Sequence, residues 1–469
     1  MTTRPSNESG PPPGDHGHWL LGINAQVTDP LGVLVRGQQR HGDIFYFNSF
    51  QGPTYVLAHP DHAQHVLADN ARNYPSPDKP PNRLMGNGLF VSNGDFWMRQ
   101  RRMVQPAFHR PRLFKMVEGM VRGTDALATR WDEAARSGTP IDLLEQMRQL
   151  VPTVLGTSLF SRDVYDSEEA LRACVAFFSQ NSHGSARDSL WKVVLRRLGI
   201  PRSRLRGFHA TVEALNTALY RLIASRRAAA SPGDDILGML LEARDTRGEA
   251  MTDAEVRDEL VSLLIGGHEA TSVALTWTWY TLLSHPEVER RVREELATVL
   301  GGRPPDGEAL HALRYTRAVV EETLRLYPPA WRFMRRAVED ERIDGVTLRA
   351  GSLVVLSPYL LHRHPSAWTE PERFLPERFL SENKEGRHRH AYLPFGGGQR
   401  LCIGNGYTLM LITAVLATLM PRFQPRLVPG HPIVPLASNT YRPRFGVRAT
   451  LHPVPAPTSA SSPTEASSS

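Results

Sequence analysis

The stretch that decides the fold is FGGGQRLCIG, Phe395 to Gly404. Three adjacent glycines suggest a phosphate loop, but no Gly-Lys-Ser/Thr follows and that reading fails. A plain glycine turn beside a buried cysteine is the simplest alternative. The pattern does more than turn, however. Gly396, Gly397 and Gly398 let the backbone bend tightly and approach a flat ligand closely. Cys402 stands just ahead of the apolar segment NGYTLMLITAVLATLM. At the start of such a helix, unpaired N–H groups and the dipole favour a thiolate. Arg400 projects to the same side, where it can pair with a carboxylate of that ligand.

The rest of the chain has room for an enclosed ligand. It has 469 residues, 41% hydrophobic and 22% charged, the balance of a soluble globular protein. Two cysteines, Cys174 and Cys402, exclude a disulfide framework and a four-cysteine zinc site. The opening MTTRPSNESGPPPGD lacks the apolar core of a signal peptide, and no long apolar run follows. A cytoplasmic setting without a membrane span is therefore expected. The net charge of +7 suits an acidic protein partner, or follows simply from an arginine-rich composition that leaves a basic surface. Nucleic acid is not expected, because no zinc finger, RNA-binding aromatic signature or basic zipper is present.

Residues 1–18 and 453–469 read as mobile tails around a single domain, 19–452. Ile44–Phe47 and Tyr55–Ala58 read as strands about a turn, and 60–72 as a short helix. From about 112 to 300 the periodicity is mostly helical. One helix opens with a capping box, Thr252 and Glu255, and runs to Ser284 before Pro286. At roughly 50 Å it is long enough to cross a whole domain. Another spans about 308–326, and short strands follow it. The chain reads as mainly α with small β-sheets, an α+β fold.

The centre of the long helix, IGGHEATS at 265–272, is the anomaly. An unpartnered buried carboxylate costs several kcal/mol, and each helical glycine about 1 kcal/mol. A sequence that accepts both at one point has a use for it. His268-Glu269 is not a zincin motif, because Ser272 occupies the second histidine position. The pairs His362/His364 and His388/His390 lie in loop-like, arginine-rich sequence and are expected to be solvated.

Phe395, Gly396, Gly398, Arg400, Cys402 and Gly404 together match Phe-Gly-x-Gly-x-Arg-x-Cys-x-Gly. The chain thereby resembles the cytochrome P450 superfamily from about residue 11 to 452. The resemblance implies a single triangular helical domain with the long helix above a haem b, and Cys402 as the iron ligand. Thiolate donation of that kind favours O–O cleavage. Glu322, Arg325 and Arg378 resemble the family's buried ionic triad. Trp97 and Arg101, one helical turn apart, resemble its propionate clamp, joined by Arg400 and by Arg335, with the adjacent Arg336 as the alternative. Phe395, Gly396 and Gly404 complete the expected cofactor contacts.

In the family's small-Gly-x-acid-Thr pattern, Gly266, Gly267, His268 and Glu269 fill four places, but Ala270 stands where threonine is usual. Glu269 is expected to relay protons as a general acid. Water, a substrate hydroxyl or Thr271 would complete the path, and a locally opened helix would give that water a place. The substrate expected is lipophilic: a terpenoid, carotenoid or fatty acid, hydroxylated or epoxidised with O2. Its contacts fall at 84–91, 177–200, 329–333 and 438–441, with Leu84, Leu89, Phe90, Leu263, Gly266, Trp331 and Phe333 named. The apolar, basic segment around 190–208 reads as a solvated helix pair rather than a membrane-resting lid. Electrons are expected from a ferredoxin and ferredoxin reductase, since no reductase domain follows, and the chain is expected to be a monomer. A redox-neutral isomerase or dehydratase, a peroxide-dependent hydroxylase and a non-catalytic haem protein are the alternatives.

Overall fold

The capping box forms as the sequence requires. Thr252 Oγ1 accepts from the Glu255 N–H, and Glu255 accepts in return from the Thr252 N–H. The computed structural model describes residues 13–15, 28–49, 52–77, 84–160, 205–229, 231, 233–383 and 385–454. The segment 177–200 lies outside them, and so does nearly all of both expected tails.

A short strand β1 (Gly14–Asp15) precedes α1 (Pro30–His41) and the hairpin β2 (Ile44–Ser49) and β3 (Gly52–Leu57). Next come α2 (Pro60–Gln64), α3 (Gly94–Val104), α4 (Arg110–Ser137), β4 (Ile141–Asp142) and α5 (Leu143–Phe160). The described chain resumes with α6 (Leu205–Ala228), α7 (Ile236–Glu242), the long helix α8 (Asp253–Ser284) and α9 (Pro286–Leu300). The helix expected at 308–326 is two, α10 (Gly307–Ala312) and α11 (Arg314–Leu326). Buried Leu313 breaks the run, and Glu295 of α9 accepts the N–H groups of Tyr315 and Thr316. An external carboxylate thus caps α11, which a purely local pattern does not reveal.

The last third holds β5 (Phe333–Arg336), β6 (Glu341–Ile343), β7 (Val346–Leu348), β8 (Leu353–Leu356), α12 (Pro358–Leu361) and α13 (Asn405–Leu419). It closes with β9 (Phe423–Leu427), β10 (Pro435–Ala437), β11 (Tyr441–Pro443) and β12 (Arg448–Pro453). Helices dominate, as expected. The largest sheet has the order β1-β2-β3-β8-β5, with β3 and β8 parallel.

Helix α8 is buried on nearly every side, packing along α5, while α13 packs along α4. One apolar core joins these helices, with Trp131 between Trp279 and Phe423. The two α8 glycines have different reasons. A Cβ on Gly267 would come within 3.2 Å of Leu155 on α5, whereas one on Gly266 would meet nothing within 4 Å. Gly267 lets two helices approach, and Gly266 keeps a space open. The helix itself runs unbroken through this region rather than locally opened.

Candidate active site

The glycine loop folds because only glycine suits its backbone. Gly398 has φ +65°, and a Cβ there would lie 2.3 Å from the Leu67 carbonyl oxygen. The Cys402 N–H donates to the Phe395 carbonyl at 3.0 Å, closing the loop just before α13. The Gly404 N–H lowers the Cys402 pKa and so does Arg101, but desolvation outweighs both and the thiol is raised. The expected thiolate therefore does not follow from the helix start alone. The side chain is nonetheless accessible, although protein encloses it closely enough to desolvate it. Such a thiol ionises when a cation binds it directly.

Three guanidinium groups gather beside it. Arg101 of α3 is electrostatically coupled to Cys402, and Arg335 of β5 is buried. Arg400 lies near both arginines and stacks 4.0 Å over the Trp97 ring, donating to the Ser92 carbonyl at 2.8 Å. Burial lowers the Arg335 and Arg400 pKa values to about 10, and the other two arginines add to the effect on Arg400. Among the described residues, none of these three cations has a carboxylate partner. Arg336 turns away and donates to the Gly351 carbonyl, so Arg335 is the arginine that joins the group. Converging buried cations call for an anion, and a flat cofactor with two carboxylates fits them.

Glu322, Arg325 and Arg378 also meet. Glu322 and Arg325 are fully buried in a bidentate pair, both bonds 2.7 Å, and Arg378 lies 3.5 Å from Glu322. Arg325 further donates to the carbonyls of His362, Pro371 and Arg373. The pair thus ties α11 to the loops leading toward Cys402. The solvated histidines expected here are a misreading: His362, His364 and His390 are buried. His362 bonds the Arg325 carbonyl through Nδ1 and accepts the Leu393 N–H at Nε2. It is a strut inside the polar frame.

On α8, Leu263, Gly266, Gly267 and Ala270 carry the partly accessible face, and Thr271 is buried beside it. The structure therefore does not put the Thr271 hydroxyl on the same face as Ala270. Glu269 is not free. Arg148 of α5 grips it with both arms, at 3.1 and 2.7 Å, and Thr440 donates to it at 3.4 Å. Arg148 escaped notice because it carries no local motif, and Thr440, within the expected contact turn 438–441, was not foreseen as a partner of Glu269.

The expected pocket residues divide. Leu84, Leu89 and Leu263 are half-buried, Phe90 is 51% exposed, and Phe333 sits beneath Arg335. Trp331 does not belong with them. It is 1% exposed in the core beside the sheet, with its indole N–H donating to the Ser438 carbonyl. The loop 84–91 hangs on α8, with the Asn87 N–H on Asp258 and the Leu89 N–H on Glu259. Sequence reading passed over Glu259, a buried carboxyl whose Oε1 has no partner among the described residues.

A helical frame with an enclosed cysteine, three cations for a dianionic plane and a long helix opening a space defines a haem protein. The family description that matches residues 11–447 is Cytochrome P450. Cyclooctatin synthase of Streptomyces melanosporofaciens is 37% identical over 94% of this chain and 93% of its own length. Pentalenene oxygenase of Streptomyces avermitilis is 33% identical over 86% of this chain and 89% of its own. The crystal structure of the cytochrome P450DA heme domain superposes with a TM-score of 0.83 at 25% identity, covering 95% of this chain and 98% of that one. The chain belongs to the cytochrome P450 family. It is a haem b monooxygenase that draws electrons from a redox partner, and no described helix is long and apolar enough to cross a membrane.

Proposed function

We propose that this monooxygenase hydroxylates or epoxidises a terpenoid, with Cys402 as the iron ligand and a ferredoxin with its reductase as electron source. The observation that carries the cofactor assignment is the accessible thiol of Cys402 beside Arg101, Arg335 and Arg400. The haem, when bound, supplies oxygen activation. Cys402 would hold it from one side and the three arginines would pair its carboxylates, with Trp97 stacked on Arg400. Glu269 would pass protons along the α8 face. The substrate class is supported by the apolar surroundings of Leu84, Leu89 and Leu263. It is also supported by relatives named for pentalenene and cyclooctat-9-en-7-ol, by their names an alkene and an alkenol. The protein would act as a monomer in the cytoplasm, as one domain spanning 19–452.

The reduced, CO-treated protein should show the red-shifted Soret band of thiolate ligation, and Cys402→Ser should lose it while keeping the fold. A wild-type band at the unshifted position would overturn the ligand assignment. A panel of cyclic terpenes, carotenoids and fatty acids, scored by substrate-induced Soret shifts and by product, tests the substrate class. Product formed in the panel without NADPH, ferredoxin and reductase would favour the redox-neutral reading.

A further inference from the structure

Away from the haem-binding residues, the structure gathers three side chains that no part of the reaction uses. Asp43 sits between α1 and β2, His59 follows β3, and His364 follows α12. One ligand atom from each lies within 4.8 Å of the others. His364 Nε2 is 3.0 Å from Asp43 Oδ1, and the two imidazoles meet edge to face at 4.8 Å. We propose that Asp43, His59 and His364 bind one divalent cation of the zinc class.

The donor set selects the metal. Two imidazoles and one carboxylate suit zinc, whereas magnesium and calcium take oxygen ligands. Bonds of about 2.0–2.2 Å place tetrahedral ligands roughly 3.3–3.5 Å apart. Asp43 and His364 stand 3.0 Å apart in a hydrogen bond, so the ion has to replace that proton and spread the pair slightly while His59 moves inward, with water as the fourth ligand. The outer partners are in place too. His59 Nδ1 lies 3.4 Å from Asp61 Oδ2, and His364 Nδ1 lies 2.7 Å from Ser366 Oγ. As the structure stands, the Asp61 and Ser366 backbone N–H groups donate to His59 Nδ1 at 3.2 Å and His364 Nδ1 at 3.3 Å, so each ring holds its proton on Nε2. Metal binding at Nε2 requires each ring to tilt from that N–H and place its proton on Nδ1, toward Asp61 Oδ2 and Ser366 Oγ. Binding moves each imidazole proton from Nε2 to Nδ1, and nothing is oxidised or reduced.

A cleft gives an ion access to the site. Asp43 and His59 open onto a cleft of ≈ 730 Å³ also lined by His41, Asp61, His62 and His65. His62 is 6% exposed, and its buried Nδ1 has no partner among the described residues. A metal here would clip the N-terminal hairpin to a loop 321 residues beyond Asp43, a role independent of the monooxygenase reading.

The test uses tag-free, haem-loaded protein treated with chelator and then titrated with zinc chloride by calorimetry. One equivalent should bind, magnesium should not compete, and His59→Ala and Asp43→Asn should each weaken binding at least about tenfold. The CO spectrum reports that the variants still hold haem. Zinc-edge X-ray absorption on the wild type gives a readout that needs no variant: a nitrogen and oxygen shell with imidazole scattering is expected. Absence of stoichiometric binding, unchanged affinity in both variants, or a shell containing sulfur or only oxygen would overturn the proposal.

Discussion

Both carboxylate oxygens of Glu269 accept from Arg148, so a proton passing through this group must first part the pair. That makes Glu269 a gated relay rather than an open acid, and Arg148 a positioning residue. Glu269→Gln should lower turnover by about 10²-fold, the usual worth of a general acid. Substrate-induced spectral shifts should be retained. Unaltered turnover would remove Glu269 from the proton path. Ala270 lies on the partly accessible face, while the neighbouring hydroxyl of Thr271 is buried. Ala270→Thr should therefore raise the product formed per NADPH consumed. An unchanged ratio would show that the relay needs no hydroxyl at this position.

At the level of elements, the contact between α5 and α8 depends on one glycine and the reaction space on its neighbour. Gly267→Val should force Leu155 aside and destabilise the fold by about 1–3 kcal/mol. Gly266→Ala should cost nothing in stability, and better helix propensity adds up to about 1 kcal/mol, but bulky substrates should bind less tightly. Thermal melts and spectral titrations of the two variants check this, and equal destabilisation would show that both glycines serve packing. What was legible in the sequence follows the same division. The cysteine loop, the Glu322–Arg325 pair and the Trp97–Arg101 turn are short-range patterns, so spacing alone brings their residues together. The Arg148–Glu269 pair spans 121 residues and the Leu89–Glu259 bond spans 170. Such partners are set by how helices cross, and no local period records that. The histidines were misread for a related reason. An arginine-rich loop looks solvated until Arg325 is seen drawing its neighbours' carbonyls into the core.

For the whole molecule, two buried groups shape stability against pH in opposite senses. Burial pushes the His362 pKa down to about 3, while the unfolded chain takes up that proton near 6.5. Its contribution is complete above pH ~6.5 and is lost as pH falls, at about 1.4 kcal/mol per unit. Burial raises Glu259 to about 8, from 4.5 unfolded. Its proton stabilises the fold below pH ~4.5, and that contribution declines as pH rises toward 8. Between the two unfolded values the effects oppose each other. Glu259→Gln should therefore raise the melting temperature relative to wild type at pH 8 and leave it little changed at pH 5. Scanning calorimetry of the haem-loaded protein at both values decides it, and a difference independent of pH would rule out Glu259 as the titrating group.

The parallel pairing of β3 with β8 has a consequence for how the protein is made. One edge of Thr54–Leu57 pairs with β2 in the hairpin, but the other edge finds its partner in Leu353–Leu356. At roughly 5–20 residues per second, ribosomal synthesis separates the two by on the order of 15–60 s. Throughout that interval the apolar edge of β3 is unsatisfied, and fragments ending before β8 carry it permanently. Such an edge pairs readily with other chains. Expression yield should therefore respond to translation speed and to chaperones bound early.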